Sequence, residues 1–222
     1  MNYLDLVNNV LKRLRANTVT SVNQNTYSAL VGALVNDARK MVEDSWEWNA
    51  LKTTFTVPTV QATQEYTLTN SGNRVRILDA QNLTQNLHMQ HISQQRGRHI
   101  NMMNDTTQGA PEMYATSGLA TTGIFEGDNK IKVFPIPDGV YSLRFECVLR
   151  EADLSAEGDE TNLPHLPIIY YAWGLAAQER GEVGGAEVTE IFAMAKRMLS
   201  DAISRDALLN PDDLIWKDEY YL

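Results

Sequence analysis

Cysteine is almost absent from this chain: one residue, Cys147, in 222. That excludes an internal disulfide and any Cys-rich zinc site. No apolar run approaches the roughly 20 residues needed to span a bilayer, so no membrane anchor is expected. The N-terminus, Met1-Asn2-Tyr3-Leu4-Asp5, has neither the basic start nor the apolar stretch of a signal peptide. There is no Walker motif, no G-x-G-x-x-G, no G-x-S-x-G and no nucleophile–base arrangement, so nothing argues for an enzyme or a cofactor. Basic side chains are scarce in the last third. Residues 146–222 hold six against sixteen acidic ones, whereas residues 1–51 hold five of each and residues 52–145 hold eight and seven. The net charge of −9 therefore sits almost wholly at the C-terminal end. A surface of that sign repels nucleic acid or meets a basic partner; it does not grip a phosphate backbone.

What remains is an ordinary globular composition, 43% hydrophobic and 21% charged, of a size for one large or two small domains. Tyr3, Leu6, Val7, Val10, Leu11 and Leu14 recur at helical spacing, with Asp5 and then Lys12, Arg13 and Arg15 placed to suit the helix dipole. A second stripe, Leu30, Val31, Leu34, Val35, Ala38, Met41 and Val42, predicts another helix with Thr26 as its N-cap. From Lys52 to Arg150 the pattern becomes one of short alternating runs. The clearest is Tyr141, Leu143, Phe145, Cys147 and Leu149, which places Cys147 on an apolar face as a core residue. Pro137-Asp138-Gly139 predicts a β-hairpin joining Lys130–Phe134 to that strand. Leu83 to Gly109 reads as a long excursion from the sheet.

Past an acidic loop from Glu151 to Asn162, read as solvated, two more helices are expected. Pro167 suits the first turn of the third and Gly181 its end, and the fourth carries Val188, Ile191, Phe192, Ala195, Met198, Leu199, Ala202 and Ile203. The fold expected is α+β: a four-helix antiparallel bundle with an inserted antiparallel β-sheet or barrel-like lobe and an extended C-terminal tail. Its parts are residues 1–51 (first helical hairpin), 52–150 (β-rich insertion), 151–206 (second hairpin) and 207–222 (docking tail).

Several clusters invite a chemical reading. His88, His91 and His99, with Asp105, offer an H-x-x-H spacing for zinc, but without an H-E-x-x-H or cysteine partner; solvated or interface histidines are the alternative. Glu43 and Glu47, beside Trp46 and Trp48, have the look of a glycosidase acid pair, yet also of packing at a helix-to-strand corner. Glu151, Asp153, Glu157, Asp159 and Glu160 lack calcium-loop spacing. Arg96, Arg98 and His99 form the one concentrated basic spot, suited to a phosphate or carboxylate, or to a loop tip meeting a protein neighbour. The tail carries Leu214, Ile215, Trp216, Tyr220, Tyr221 and Leu222, too many large apolar groups to bury in so short a segment. It docks on another chain or folds back on its own helices.

Read in order, several stretches resemble the head-to-tail adaptor proteins of tailed bacteriophages, the group that includes tail tubular protein A. They are Met1-Asn2-Tyr3-Leu4-Asp5-Leu6-Val7-Asn8, the run from Val35 to Trp48 leading into Thr53-Thr54-Phe55, Gly109-Ala110-Pro111-Glu112-Met113-Tyr114, Val133-Phe134-Pro135-Ile136-Pro137-Asp138, Leu163 to Ala172, and Gln178-Glu179-Arg180-Gly181-Glu182. The resemblance implies a structural virion protein of the neck, made in the bacterial cytoplasm, forming a homo-oligomeric ring of about twelve copies beneath the portal. Double-stranded DNA passes through such a ring unbound, and the tail tube or nozzle docks below it. Transferred to this chain, residues 1–50 and 164–206 would form the ring wall, 52–150 would meet the next tail component through Arg96, Arg98 and His99, and 207–222 would reach the portal. Glu179, Glu182, Glu187 and Glu190 are the candidate lumen acids. Another neck or tail-completion role, or an adaptor with peptidoglycan hydrolase activity, is the alternative.

Overall fold

The computed structural model describes residues 1–72, 74–103, 108–120, 127–181 and 185–209. The chain divides into two compact units, Met1–Ala50 with Glu151–Leu222, and Leu51–Arg150.

The first unit is helical. Helix α1 (Tyr3–Arg13) begins where the Asn2 side chain accepts the Asp5 amide N–H at 2.8 Å, and it buries Tyr3, Leu6, Val7, Val10 and Leu11. Helix α2 (Thr26–Asp44) is capped by Asn25 rather than Thr26. Asn25 accepts the Ser28 N–H at 2.7 Å while the Ser28 hydroxyl accepts the Asn25 N–H at 3.2 Å, a reciprocal capping box. The buried face of α2 is turned from the expected stripe: Ser28, Gly32, Arg39 and Glu43 are inside, and Met41 is out. Gly32 sets that rotation, since a Cβ there would lie 2.5 Å from the Tyr3 hydroxyl oxygen.

Helices α4 (His165–Arg180) and α5 (Gly185–Ala207) complete this unit; a helix α3 lies in the other. Helix α4 is apolar around its whole circumference, with Ile168, Ile169, Tyr171, Ala172, Ala176 and Ala177 buried, and ends at Gly181 in the left-handed conformation (φ 63°). Such a helix belongs at the centre of its neighbours, and α1, α2 and α5 all pack against it. Helix α5, about 34 Å long, packs chiefly on α4 through Ile191, Ala195 and Ala202.

The second unit holds two four-stranded sheets. One runs β1-β8-β3-β4: β1 (Lys52–Pro58), β8 (Ser142–Val148), β3 (Arg76–Asn82) and β4 (Leu87–His88). The other runs β2-β7-β6-β5: β2 (Glu65–Thr67), β7 (Asp128–Phe134), β6 (Met113–Ala120) and β5 (Gln90–His91). Pairing is antiparallel except between β5 and β6. A common core of Tyr66, Leu68, Tyr114, Ile131, Val133, Leu143, Phe145 and Cys147 draws on strands of both sheets. Burial pushes the Cys147 thiol up to about 12, so this cysteine is packing material. Helix α3 (Gln94–Met103) covers β6 and β7, with Ile92, Ala115 and Phe134 as a small second core.

The α+β class holds, but the expected architecture does not. Among the described residues, five helices and two sheets replace a four-helix bundle with one inserted sheet or barrel-like lobe. In a bundle each helix shares one core with two neighbours, whereas α4 is enclosed by the others and α5 rests mainly on it. The hairpin expected across Pro137-Asp138-Gly139 is absent as well, because β7 and β8 lie in different sheets. Pro135 and Pro137 have no N–H to continue a ladder. The carbonyls of Ile136 and Pro137 accept instead from Gly109 and Ala62 at 2.9 Å each, carrying the chain out of one sheet before it enters the other.

Candidate functional site

The residues proposed for chemistry are dispersed. Glu43, in the last turn of α2, is buried and accepts the Glu151 N–H at 2.7 Å. Glu47 lies beyond the end of that helix, so the two carboxylates do not share a helical face. Trp48 is buried and donates its indole N–H to the Val42 carbonyl at 2.9 Å, and Trp46 donates to Asp206 at 2.9 Å. The aromatic pair serves packing and capping at the end of the helix. His88 stands on β4 beside Asp79 (3.5 Å), His91 tilts against the Tyr114 ring at 5.0 Å, and His99 is exposed on α3. Among the described residues no three His, Cys, Asp or Glu side chains converge to hold a metal. Asp105 lies outside the described residues.

Arg96, Arg98 and His99 sit on helix α3, not on a loop tip. Neighbours two apart on a helix point about 200° apart, so the arginines cannot fork one anion. Arg98 lines a small pocket of about 140 Å³ with Gln94, Asn101, Ser117 and Lys132, floored by Ala115 and Phe134. It donates one long hydrogen bond, to Gln94 at 3.5 Å.

The acidic loop is largely exposed, as expected, but several of its carboxylates are tied down. Arg39 of α2 has no accessible side-chain surface, and its guanidinium donates to the Glu151 carboxylate (3.2 Å), the Glu151 carbonyl (3.4 Å) and Asp153 (3.2 Å). Lys40 meets the other Asp153 oxygen at 2.8 Å. The hydrogen bond from Lys40, with the charges of Lys40 and Arg39, outweighs partial burial and holds the Asp153 carboxyl below the usual carboxylate range. Glu151 also accepts from the Thr161 hydroxyl (2.7 Å) and the Asn162 N–H (2.9 Å), and Asn36 exchanges two hydrogen bonds of 3.0 Å with Leu154. Asp159 closes the loop by accepting the Ser155 and Ala156 N–H groups, which lower its carboxyl too. Five acidic residues over ten positions look hydrophilic in sequence. The missed signal is Arg39, a charge placed between Ala38 and Val42 on an otherwise apolar stripe.

Two surfaces remain open. Glu179 is exposed near the end of α4, and Glu187 and Glu190, one turn apart, are exposed at the start of α5; Glu182 lies outside the described residues. Trp48, Leu163, Leu166, Met198, Ala202 and Leu209 line much of an apolar groove of about 520 Å³. Leu166 is 50% and Leu209 70% exposed. The tail residues Leu214, Ile215, Trp216, Tyr220, Tyr221 and Leu222 lie outside the described residues. No described helix is long and apolar enough to cross a membrane.

Comparison with known proteins gives the family. The family model described as SU10 adaptor protein matches residues 1–213. No curated protein matches the chain. The family description names no tail tubular protein A subgroup. The chain belongs to the SU10 adaptor protein family, and is therefore a phage adaptor, a structural protein of the virion.

Proposed function

We propose that this SU10-family adaptor assembles as a ring of twelve copies beneath the portal, extends the DNA channel, and offers the tail tube or nozzle its docking platform. The observation that carries this reading is the family match over residues 1–213, nearly the whole chain. The helical segments 1–50 and 164–206 build the ring wall. The β unit within 52–150 meets the next tail component, with Arg96, Arg98 and His99 on its exposed helix. Residues 207–222 dock on the portal through Leu214, Ile215, Trp216, Tyr220, Tyr221 and Leu222.

The charge distribution supports a conduit. Twelve copies at −9 each carry about −108 before counterions, and phosphate-lined DNA does not adhere to a wall of its own sign. Glu179, Glu182, Glu187 and Glu190 are assigned to that wall. The mechanism is then weak interaction within the channel and strong contacts between subunits and with partners. Particle mass measured with and without purified portal tests it: a ring alone or on the portal is expected, and a monomer indifferent to the portal overturns it. Deleting residues 208–222 is expected to abolish portal docking with the helical content retained. Retained docking removes the tail from the mechanism.

A further inference from the structure

The groove on the helical unit is open and largely apolar. Its floor is the buried indole of Trp48, whose N–H is already committed to the Val42 carbonyl, so the ring offers only apolar surface. Its rim exposes Leu166 and Leu209. The polar groups along it are unevenly satisfied. Asp206 accepts from the Trp46 indole and the Asn49 N–H, whereas among the described residues Arg205 reaches only the Asp201 carbonyl of its own helix, at 3.3 Å. His165, also in the lining, has a buried Nδ1 with no hydrogen-bond partner. A patch of this kind, apolar at its centre with a cation at its edge, fits a segment that alternates large apolar side chains with carboxylates.

We propose that residues 210–222 of the same chain occupy this groove in the free subunit. Leu209 is itself a lining residue, so the chain leaves the described region from the groove's own rim. Pro211, two residues on, lacks the N–H that a continuing helix needs. The thirteen residues span at most about 45 Å when extended, ample for a return across the groove. They carry Leu214, Ile215, Trp216, Tyr220, Tyr221 and Leu222 with Asp212, Asp213, Asp218 and Glu219 against a single Lys217, which complements both the apolar floor and Arg205. A tether this short holds the segment at millimolar effective concentration, so it outcompetes the same segment of a second copy. One consequence rests on the function proposed above: if the segment also docks on the portal, groove and portal compete for it, and portal binding uncovers the groove.

The seating itself is tested without a portal, by hydrogen exchange on the monomeric full chain at low micromolar concentration. The amides of Asn162, Leu163, His165 and Leu166, at the groove wall, are expected to exchange at least about tenfold faster in a chain ending at Leu209. Synthetic peptide 210–222 at millimolar concentration is expected to restore their protection. Leu166→Asp, on a half-exposed side chain, is expected to speed exchange in the full chain with the circular dichroism unchanged, which keeps the test open should the shortened chain unfold. Equal exchange in the full and shortened chains overturns the proposal. Protection that disappears on dilution also overturns it, in favour of a second copy's tail. Loss of portal docking on deletion is read in a separate assay, so failure of one reading is distinct from failure of the other.

Discussion

Arg39 is the largest fully buried side chain among the described residues of the helical unit. A guanidinium taken fully out of water is tolerable only when its charge is met, and here the Glu151 and Asp153 carboxylates and a carbonyl meet its two terminal nitrogens, leaving the buried Nε without a partner among the described residues. Removing one partner of such a pair costs about 3–5 kcal/mol. Asp153 keeps 55% of its side-chain surface in water, which screens its share. Arg39→Ala is therefore expected to lose about 3 kcal/mol, read as a lower urea midpoint, and a loss below about 0.5 kcal/mol would contradict the role given to it. Arg39→Lys is expected to recover only part, since an ammonium cannot reach both carboxylates in a planar fork.

Acid is expected to act on the same unit in two steps. Burial lowers the His165 imidazole below its ordinary 6.5, so the unfolded chain binds the extra proton first. Stability is full above that value and falls as the pH drops through the folded one. The Asp153 and Asp159 carboxyls are held below 3.8, so their contribution is full above 3.8 and is lost only as the pH falls beneath it. Urea midpoints measured from about pH 7 down to about pH 3 read both steps. His165→Gln is expected to flatten the upper step alone, and a midpoint indifferent to pH above 4 would sink that assignment.

Among the secondary elements, helix ends and close approaches are where local sequence and tertiary packing meet. The Asn25–Ser28 box satisfies two donors at the start of α2, and Asn25→Ala is expected to cost about 1 kcal/mol in thermal or urea unfolding. At α3 the outcome opposes propensity. Alanine is the better helix former by about 1 kcal/mol, but a Cβ at Gly97 would lie 2.5 Å from the tip of the buried Phe134 ring. Gly97→Ala is expected to lift α3 off β6 and β7, costing about 1–3 kcal/mol. Proteolysis of residues 94–103 measures it, with protection equal to the parent chain as the contrary result. The legible elements were those whose burial follows one period: α1, the apolar positions of α5, and β8 with Cys147 inward. The α2 stripe was displaced because Gly32 receives Tyr3. Among its described residues the region from Leu83 to Gly109 holds two two-residue strands, too short for a period, and α3, which fully buries only Gly97 and so carries no apolar stripe.

At the scale of the whole molecule, the acidic bias of residues 146–222 divides into carboxylates with different duties. Glu151, Asp153 and Asp159 are consumed in holding the loop together. Glu179, Glu187 and Glu190 remain exposed and are left to set the field outside the protein. Under the proposed conduit, assembled particles are expected to retain no double-stranded DNA at about 0.15 M salt. Replacing Glu179, Glu187 and Glu190 by lysine is expected to confer salt-sensitive retention in a filter or gel-shift assay. Retention by the unaltered ring would contradict a non-adhesive lumen.

The amino-acid sequence by itself determined where helix gives way to strand, that Cys147 lies inward, and where the negative charge accumulates. These follow from side-chain period and composition, which need only local geometry. The tertiary structure decided which strands pair, which face of α2 is buried, and which acids are spent. Each depends on contacts between residues far apart in the chain: Arg39 with Glu151, Gly32 with Tyr3, and Phe134 and Ser142 sent to different sheets across Pro135 and Pro137. No local pattern encodes such partners, because a side chain's surroundings are set by the whole packing and not by its neighbours in sequence.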